Sequence, residues 1–294
     1  MSGKDIIVAL VTPFDQKGNI NEKVLKELIE YNIEEGATGF FVGGSSGEGP
    51  LLSNDERMLL FELSKKYSQD KMMIANVSSL NTDEAIKLAK YAKNVGYDFV
   101  ASTAPYFYIH QMKDVANYFI DIMDESGIQM IIYNFPKLSK FTFDLENKHI
   151  IKLLNHPKMY GVKHTNYDLY ELERFSRINK NLKIFNGYDE IYLSTLSLNV
   201  DGAIGSTFNF LSKHFVKISE HYVNGNYEEA LHIQNEMNAI MDVLIEVGLI
   251  PGIKYALSLY GFDCGKPRRP FKELRAEDKM KVDFILKDYI KEEK

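Results

Sequence analysis

Cysteine is almost missing from this 294-residue chain: Cys264 stands alone. A single thiol excludes an intrachain disulfide and a multi-thiolate zinc site, and it favours a reducing compartment. Long apolar runs are missing too. No segment approaches the roughly 18 consecutive apolar residues of a membrane span, and the apolar stretch 6–11 is shorter than a typical signal-peptide core. The expectation is a soluble, cytoplasmic protein that engages no membrane. Nor is there a surplus of positive charge, since 35 basic side chains face 41 acidic ones for a net charge of −6. That balance argues against nucleic acid as a partner, because such binding rests on a basic surface neutralising phosphates. It leaves small anionic substrates open, since these respond to the local field of a cleft. The seven histidines form no H-E-x-x-H pattern, and no G-x-G-x-x-G turn follows the first apolar run.

What is present is a large apolar content, 45% of residues, in a chain long enough to bury roughly three quarters of its unfolded surface. Short β-branched or aromatic runs predict strands at 6–11, 39–42, 72–77, 99–103, 130–133, 161–163, 182–185 and 203–204. Between them, helical apolar spacing covers 22–34, 54–67, 83–93, 113–125, 145–154 and 169–178. Strands that alternate with helices pair in parallel, because each crossover returns the chain to the same end of the sheet. A doubly wound sheet shares that alternation. The count of eight strands and the missing dinucleotide turn favour an α/β fold of the (β/α)8 TIM-barrel type. After residue 205 the pattern is wholly helical, over 213–223, 227–246, 252–259 and 278–291. With no linker, repeat or low-complexity stretch, the simplest division is one domain over 1–294. In it, 1–225 form the barrel and 226–294 a C-terminal helical extension.

In such a barrel the loops after the strands form the active face. Four segments there carry reactive groups. Gly43-Gly44-Ser45-Ser46-Gly47-Glu48 follows the second strand; its amides and two hydroxyls suit an anion, carboxylate or phosphate, and it lacks the lysine of a nucleotide-binding loop. An ordinary strand-to-helix turn has the same composition. Tyr133-Asn134-Phe135-Pro136 ends the fifth strand, where a phenol can relay a proton or simply pack in the core. In Gly161-Val162-Lys163-His164-Thr165, alternation puts Gly161, Lys163 and Thr165 on one face and His164 on the other, as a packing residue. An inward Lys163 is a desolvated amine able to attack a carbonyl, whereas an outward one snorkels past a helix. Finally, Asn186-Gly187-Tyr188-Asp189-Glu190 and Gly205-Ser206-Thr207 offer groups that bind a polyol or cap a helix.

Taken in order, and with Ala9-Leu10-Val11-Thr12-Pro13-Phe14 at the start, these segments resemble the pyruvate-dependent Schiff-base aldolases over essentially the whole chain. Within that superfamily they are similar to the N-acetylneuraminate lyases. Dihydrodipicolinate synthases usually carry an arginine two residues after the proline of the Tyr-Asn-x-Pro segment, where this chain has Leu138. Asp168-Leu169-Tyr170 also looks like a lyase segment.

The resemblance implies reversible cleavage of N-acetylneuraminate to N-acetylmannosamine and pyruvate. Lys163 forms the imine, Tyr133 moves the proton, Ser45 and Ser46 hold the carboxylate, and Thr165, Gly187, Asp189, Glu190 and Ser206 bind the sugar chain. It implies no metal or organic cofactor, the covalent Schiff base on Lys163 serving instead, and a homotetramer. The alternatives are a related aldolase or synthase for another 2-keto-3-deoxy sugar acid or for aspartate semialdehyde, and a non-catalytic sugar-acid-binding protein. Two positions depart from the lyase pattern. Ser46 replaces a threonine and keeps the hydroxyl. Phe107, between Tyr106 and Tyr108, stands where the family commonly has a tyrosine that reaches a neighbouring subunit's site.

Overall fold

The computed structural model describes residues 4–292. Among them, eight parallel strands pair in chain order and close into a barrel: β1 (Asp5–Ala9), β2 (Gly39–Val42), β3 (Met72–Asn76), β4 (Phe99–Ser102), β5 (Gln129–Asn134), β6 (Met159–His164), β7 (Lys183–Asn186) and β8 (Gly202–Gly205). The connecting helices are α1 (Glu22–Glu34), α2 (Asn54–Tyr67), α3 (Thr82–Asn94), α4 (Met112–Ser126), the one-turn α5 (Pro136–Ser139), α6 (Lys148–Leu154), α7 (Leu169–Ile178), α8 (Tyr192–Leu196) and α9 (Phe208–Val223). The expected TIM barrel is therefore present. Side-chain caps fix where several helices begin. Asn21, Asn81, Asn147 and Asp168 each accept from a backbone amide of the first turn, and Ser53 with Glu56 forms a reciprocal capping box.

Period-two alternation sorts each strand's side chains into two cores. Val8, Phe40, Val42, Met73, Val100, Ile132 and Val162 point outward and pack under the helices. Ile7, Ala9, Phe41, Ile74, Ala101, Ile131, Phe185 and Ile204 point inward and fill the barrel. Its lower end is shut by the rings of Phe99 and Tyr160, stacked 3.8 Å apart. The packed interior leaves the opposite mouth, at the strands' C-terminal ends, as the place for polar groups.

The seam between β1 and β8 is reinforced from α9. Fully buried Asn209 donates to the carbonyls of Ala9 and Ser206, both at 2.8 Å, and accepts from the Val11 amide at 3.0 Å. Beyond the barrel, α10 (Tyr227–Val247), α11 (Leu249–Leu259), α12 (Ala276–Leu286) and α13 (Tyr289–Glu292) form the C-terminal extension. No described helix is long and apolar enough to cross a membrane.

Several boundaries differ from the sequence expectation: the first strand, expected over 6–11, is Asp5–Ala9, and the helices expected over 213–223 and 252–259 start earlier, at Phe208 and Leu249. The helix expected over 145–154 starts at Lys148, because Asn147 caps it. The helix expected over 278–291 is split into α12 and α13, a break that nothing in the sequence at Lys287 explains. Between β7 and β8, where no helix is expected, Asp189–Ile191 forms a single 3-10 turn that runs into α8.

Replacing Asn209 by Ala removes three side-chain hydrogen bonds to backbone groups at the seam, two of them buried. The expected loss is about 3 kcal/mol, read as a lower urea midpoint with an unchanged denaturant slope; an unmoved midpoint contradicts the seam role.

Candidate active site

Lys163 and Tyr133 are register partners on adjacent strands, so the pairing of β5 with β6 sets them side by side. Both side chains point inward at the barrel mouth. The Lys163 Nζ lies 4.3 Å from the centre of the Tyr133 ring and 4.4 Å from that of Phe41. Lys163 is 4% exposed, and burial lowers its pKa from 10.5 to about 7; the Asp189 carboxylate opposes that fall. Burial pushes the Tyr133 phenol up to about 12, against the hydroxyls of Ser45 and Thr165 that flank it. At neutral pH the site therefore holds an amine poised between its two forms beside a phenol that keeps its proton.

His164 points the other way, as alternation requires. Its Nδ1 accepts from Asn134 Nδ2 at 3.1 Å and its Nε2 donates to the Asp168 carbonyl at 3.0 Å. Burial lowers its pKa to about 4, so it is a neutral structural histidine.

The loop after β2 is folded tightly on itself. Thr12 Oγ1 donates to the Gly47 carbonyl at 2.6 Å, Asn76 Nδ2 to the Gly43 carbonyl at 2.9 Å, and the Gly49 amide to the Gly44 carbonyl at 3.0 Å. A Cβ on Gly49 would sit 1.8 Å from the Gly43 carbonyl oxygen, so only glycine fits this closure. Ser45 Oγ is brought 3.5 Å from the Tyr133 hydroxyl, and Ser46 Oγ lies 2.9 Å from Ser206 Oγ at the end of β8.

The β7 segment completes the mouth. Gly187 passes so close to Thr165 that a Cβ would lie 1.9 Å from Thr165 Oγ1. Buried Asp189 accepts from the Thr207 amide at 2.8 Å, from Thr207 Oγ1 at 2.7 Å and from the Ser206 amide at 3.3 Å. Its carboxylate thus sits at the start of α9, and burial raises its pKa to about 6 against those donors. Glu190 lies further out, where its carboxylate accepts from the Tyr167 hydroxyl at 2.7 Å. Tyr167 stacks on Tyr188 at 4.5 Å, and Phe135 meets both Tyr188 and Tyr133, so an aromatic wall runs from the phenol to the rim. Leu138 stands at that rim, 53% exposed. Phe107 is exposed as well, with a φ of +83°, and Tyr106 lies near the Arg57 guanidinium.

The fold thus gathers Lys163, Tyr133, Ser45, Ser46, Thr165, Gly187, Asp189 and Ser206 around one opening, with Glu190 at its edge. Sequence reasoning misses the residues that hold these in place. Buried Arg57 donates to the carbonyls of Asn76 and Ser78, Gln234 and Asn238 bond the β7 loop, and Lys254 pairs with Glu48 at 2.6 Å. One signal was available. Lys254 is the only charged residue of the apolar helix Leu249–Leu259, and Ile250 and Ser258 at i±4 offer it no carboxylate.

With a lysine, a phenol and a serine-glycine loop converging at a barrel mouth, the chain can be set beside known proteins. A profile of the dihydrodipicolinate synthetase family matches residues 2–289. CdNal from Clostridium difficile, solved in complex with mannosamine, is 36% identical with a TM-score of 0.93, over 98% of this chain and 100% of that one. N-Acetylneuraminate lyase from Fusobacterium nucleatum is 35% identical with a TM-score of 0.91, over 97% and 98%. Dihydrodipicolinate synthase DapA-2 from Bacillus anthracis, 23% identical with a TM-score of 0.92 over 98% of each chain, shares the fold. The chain belongs to the dihydrodipicolinate synthetase family, a superfamily of pyruvate-dependent aldolases that includes the N-acetylneuraminate lyases.

Proposed function

We propose that this protein catalyses the reversible aldol cleavage of N-acetylneuraminate to N-acetylmannosamine and pyruvate through an imine on Lys163. The observation that carries the reading is the buried Lys163 amine beside Tyr133, with the hydroxyls of Ser45 and Ser46 at the same opening. Support for the lyase branch comes from two solved relatives above 30% identity, one in complex with mannosamine, and from a further Fusobacterium nucleatum lyase structure complexed with pyruvate. Leu138 adds to it, since an apolar side chain there offers nothing to the second carboxylate that a synthase product carries.

The neutral Lys163 amine adds to the C2 ketone of the open-chain sugar acid and water leaves, giving a protonated imine. Ser45, Ser46 and the loop amides hold the neighbouring carboxylate. As the C4 hydroxyl loses its proton, the C3–C4 bond breaks and its electron pair moves through C2 to the imine nitrogen. The products are free N-acetylmannosamine and a neutral enamine. Because Tyr133 keeps its proton at neutral pH, it serves as a relay, taking the C4 proton while its own passes to Ser45 and the Ser45 hydroxyl proton passes to the substrate carboxylate that Ser45 holds. Protonation of the enamine at C3 and hydrolysis return pyruvate and the lysine. Gly187, Asp189, Glu190, Thr165 and Ser206 face the sugar chain. No metal or organic cofactor is required, since the imine is itself the electron sink.

Two outcomes follow from the site's ionisation. The Lys163 pKa is lowered, so the attacking neutral amine is scarce below pH 7 and dominant above it. The rate of borohydride trapping of pyruvate on Lys163 should climb with pH to about 7 and then level off. A flat profile, or one still climbing near pH 10, contradicts a desolvated nucleophile. Tyr133→Phe should lower kcat for pyruvate release from N-acetylneuraminate by about 10²-fold or more in a coupled assay while pyruvate trapping persists. Faster turnover of aspartate semialdehyde or a shorter sugar acid by the wild-type protein would replace the proposed substrate.

A further inference from the structure

Neither the loop after β2 nor the one after β7 is held by the barrel alone. Each leans on a different helix of the C-terminal extension. At the first, Lys254 of α11 reaches Glu48 Oε1 at 2.6 Å, with both side chains sealed from solvent, while Glu48 Oε2 accepts from the Arg268 amide at 2.5 Å. The Lys254 ammonium also lies 4.2 Å from the centre of the Phe14 ring. Glu48 holds a left-handed backbone, φ +56°, between Gly47 and Gly49, and the two serines immediately precede this turn. At the second loop, Gln234 of α10 donates to the Asp189 carbonyl at 3.2 Å and accepts from the Leu193 amide at 2.9 Å. Asn238, one turn on, donates to the Glu190 carbonyl at 3.1 Å and accepts from Gln234 at 2.8 Å.

A buried ion pair is a poor source of stability, because desolvating both charges offsets most of their attraction. Its close contact, with the Arg268 amide on the other Glu48 oxygen, nevertheless fixes one arrangement, and apolar packing between a helix and a loop is far less exacting. The three Gln234–Asn238 contacts work the same way on backbone groups of the 3-10 turn and the start of α8, where the Asp189 carbonyl also accepts from the Tyr192 amide. None of these side chains needs to touch a substrate to matter.

We propose that the C-terminal extension is a two-point brace of the active site. Lys254 positions the carboxylate-binding serines through Glu48, and Gln234 with Asn238 positions the sugar-facing loop, so the two substrate halves are set independently. The assignment of the halves rests on the proposed aldolase reaction. Lys254, Gln234 and Asn238 are positioning residues.

The test varies pyruvate and N-acetylmannosamine separately in the condensation direction, using the full-length protein. Lys254→Met should raise KM for pyruvate about tenfold or more, with KM for the aldose little changed. Lys254→Arg should recover most of the loss. The double variant Glu48→Gln/Lys254→Met leaves no orphaned charge, so it folds even where the single variant does not, and it must show the same raised KM. Gln234→Leu/Asn238→Leu should give the converse, a raised KM for the aldose alone. Hydrogen exchange without substrate should quicken at 43–49 in the first set and at 187–193 in the second. Parallel changes in both KM values, exchange that rises across the whole barrel, or no change in either loop overturns the brace. Wild-type protein that traps pyruvate but does not condense it with N-acetylmannosamine refutes the proposed function. Half-saturation of trapping and loop exchange then still decide the brace.

Discussion

Everything at the mouth of this barrel depends on one amine being kept out of water. Lys163 stands just above a filled apolar interior, against the faces of Phe41 and Tyr133. Those two faces give the ammonium some cation–π relief, and the charge that favours its protonated form comes from Asp189, whose carboxylate is itself engaged by the start of α9. Desolvation outweighs both, which is why the amine is lowered to about 7 rather than raised. Had the interior been a water-filled channel, the same lysine would keep its ordinary pKa. The layered packing of Ile7, Ile74, Ile131 and Ile204 is therefore part of the chemistry as well as of the fold.

Register couples the two faces of the barrel wall. Tyr133 and Lys163 face inward as partners, and the next residues along, Asn134 and His164, face outward and are joined by a hydrogen bond of 3.1 Å. A slip of one residue between β5 and β6 would break that outer bond and, at the same time, move Lys163 away from Tyr133. The outer polar pair, extended by the Asp168 carbonyl, thus holds the inner reactive pair in step. Burial keeps His164 neutral, so this clamp does not change with pH near neutrality.

Much of this was legible in the sequence because it is local. Short β-branched runs and capped helices set the eight-fold alternation, and strand alternation alone separates an inward Lys163 from an outward His164. The glycines of 43–47 mark a loop whose backbone can come close to a ligand. What escaped is what depends on distant partners. Lys254 and Glu48 lie more than 200 positions apart in sequence, and nothing in either segment names the other. Gln234 and Asn238 look like ordinary polar positions of a long helix until α10 is laid against the β7 loop. Asp189 was readable as a cap or as a sugar ligand. Its carboxylate caps the start of α9 rather than its own turn, a placement that requires the barrel to be closed.

In the proposed reaction the environment that lowers Lys163 acts twice. A protonated imine is a fixed cation in the same desolvated place as the ammonium it replaces. It cannot escape the cost by losing a proton without losing its power as an electron sink. Breaking the C3–C4 bond delivers an electron pair to that nitrogen and turns the cation into a neutral enamine. The burial that makes the amine nucleophilic therefore also favours collapse of the imine toward cleavage. The cost falls on the charged intermediate and is relieved as charge leaves it. Asp189 limits the effect, since with a pKa raised to about 6 it is ionised at neutral pH and steadies the cation enough for it to form. A fully apolar mouth would deny the imine, and an open polar one would leave it content. The aromatic faces, one shielded carboxylate and a packed floor hold the site between those limits.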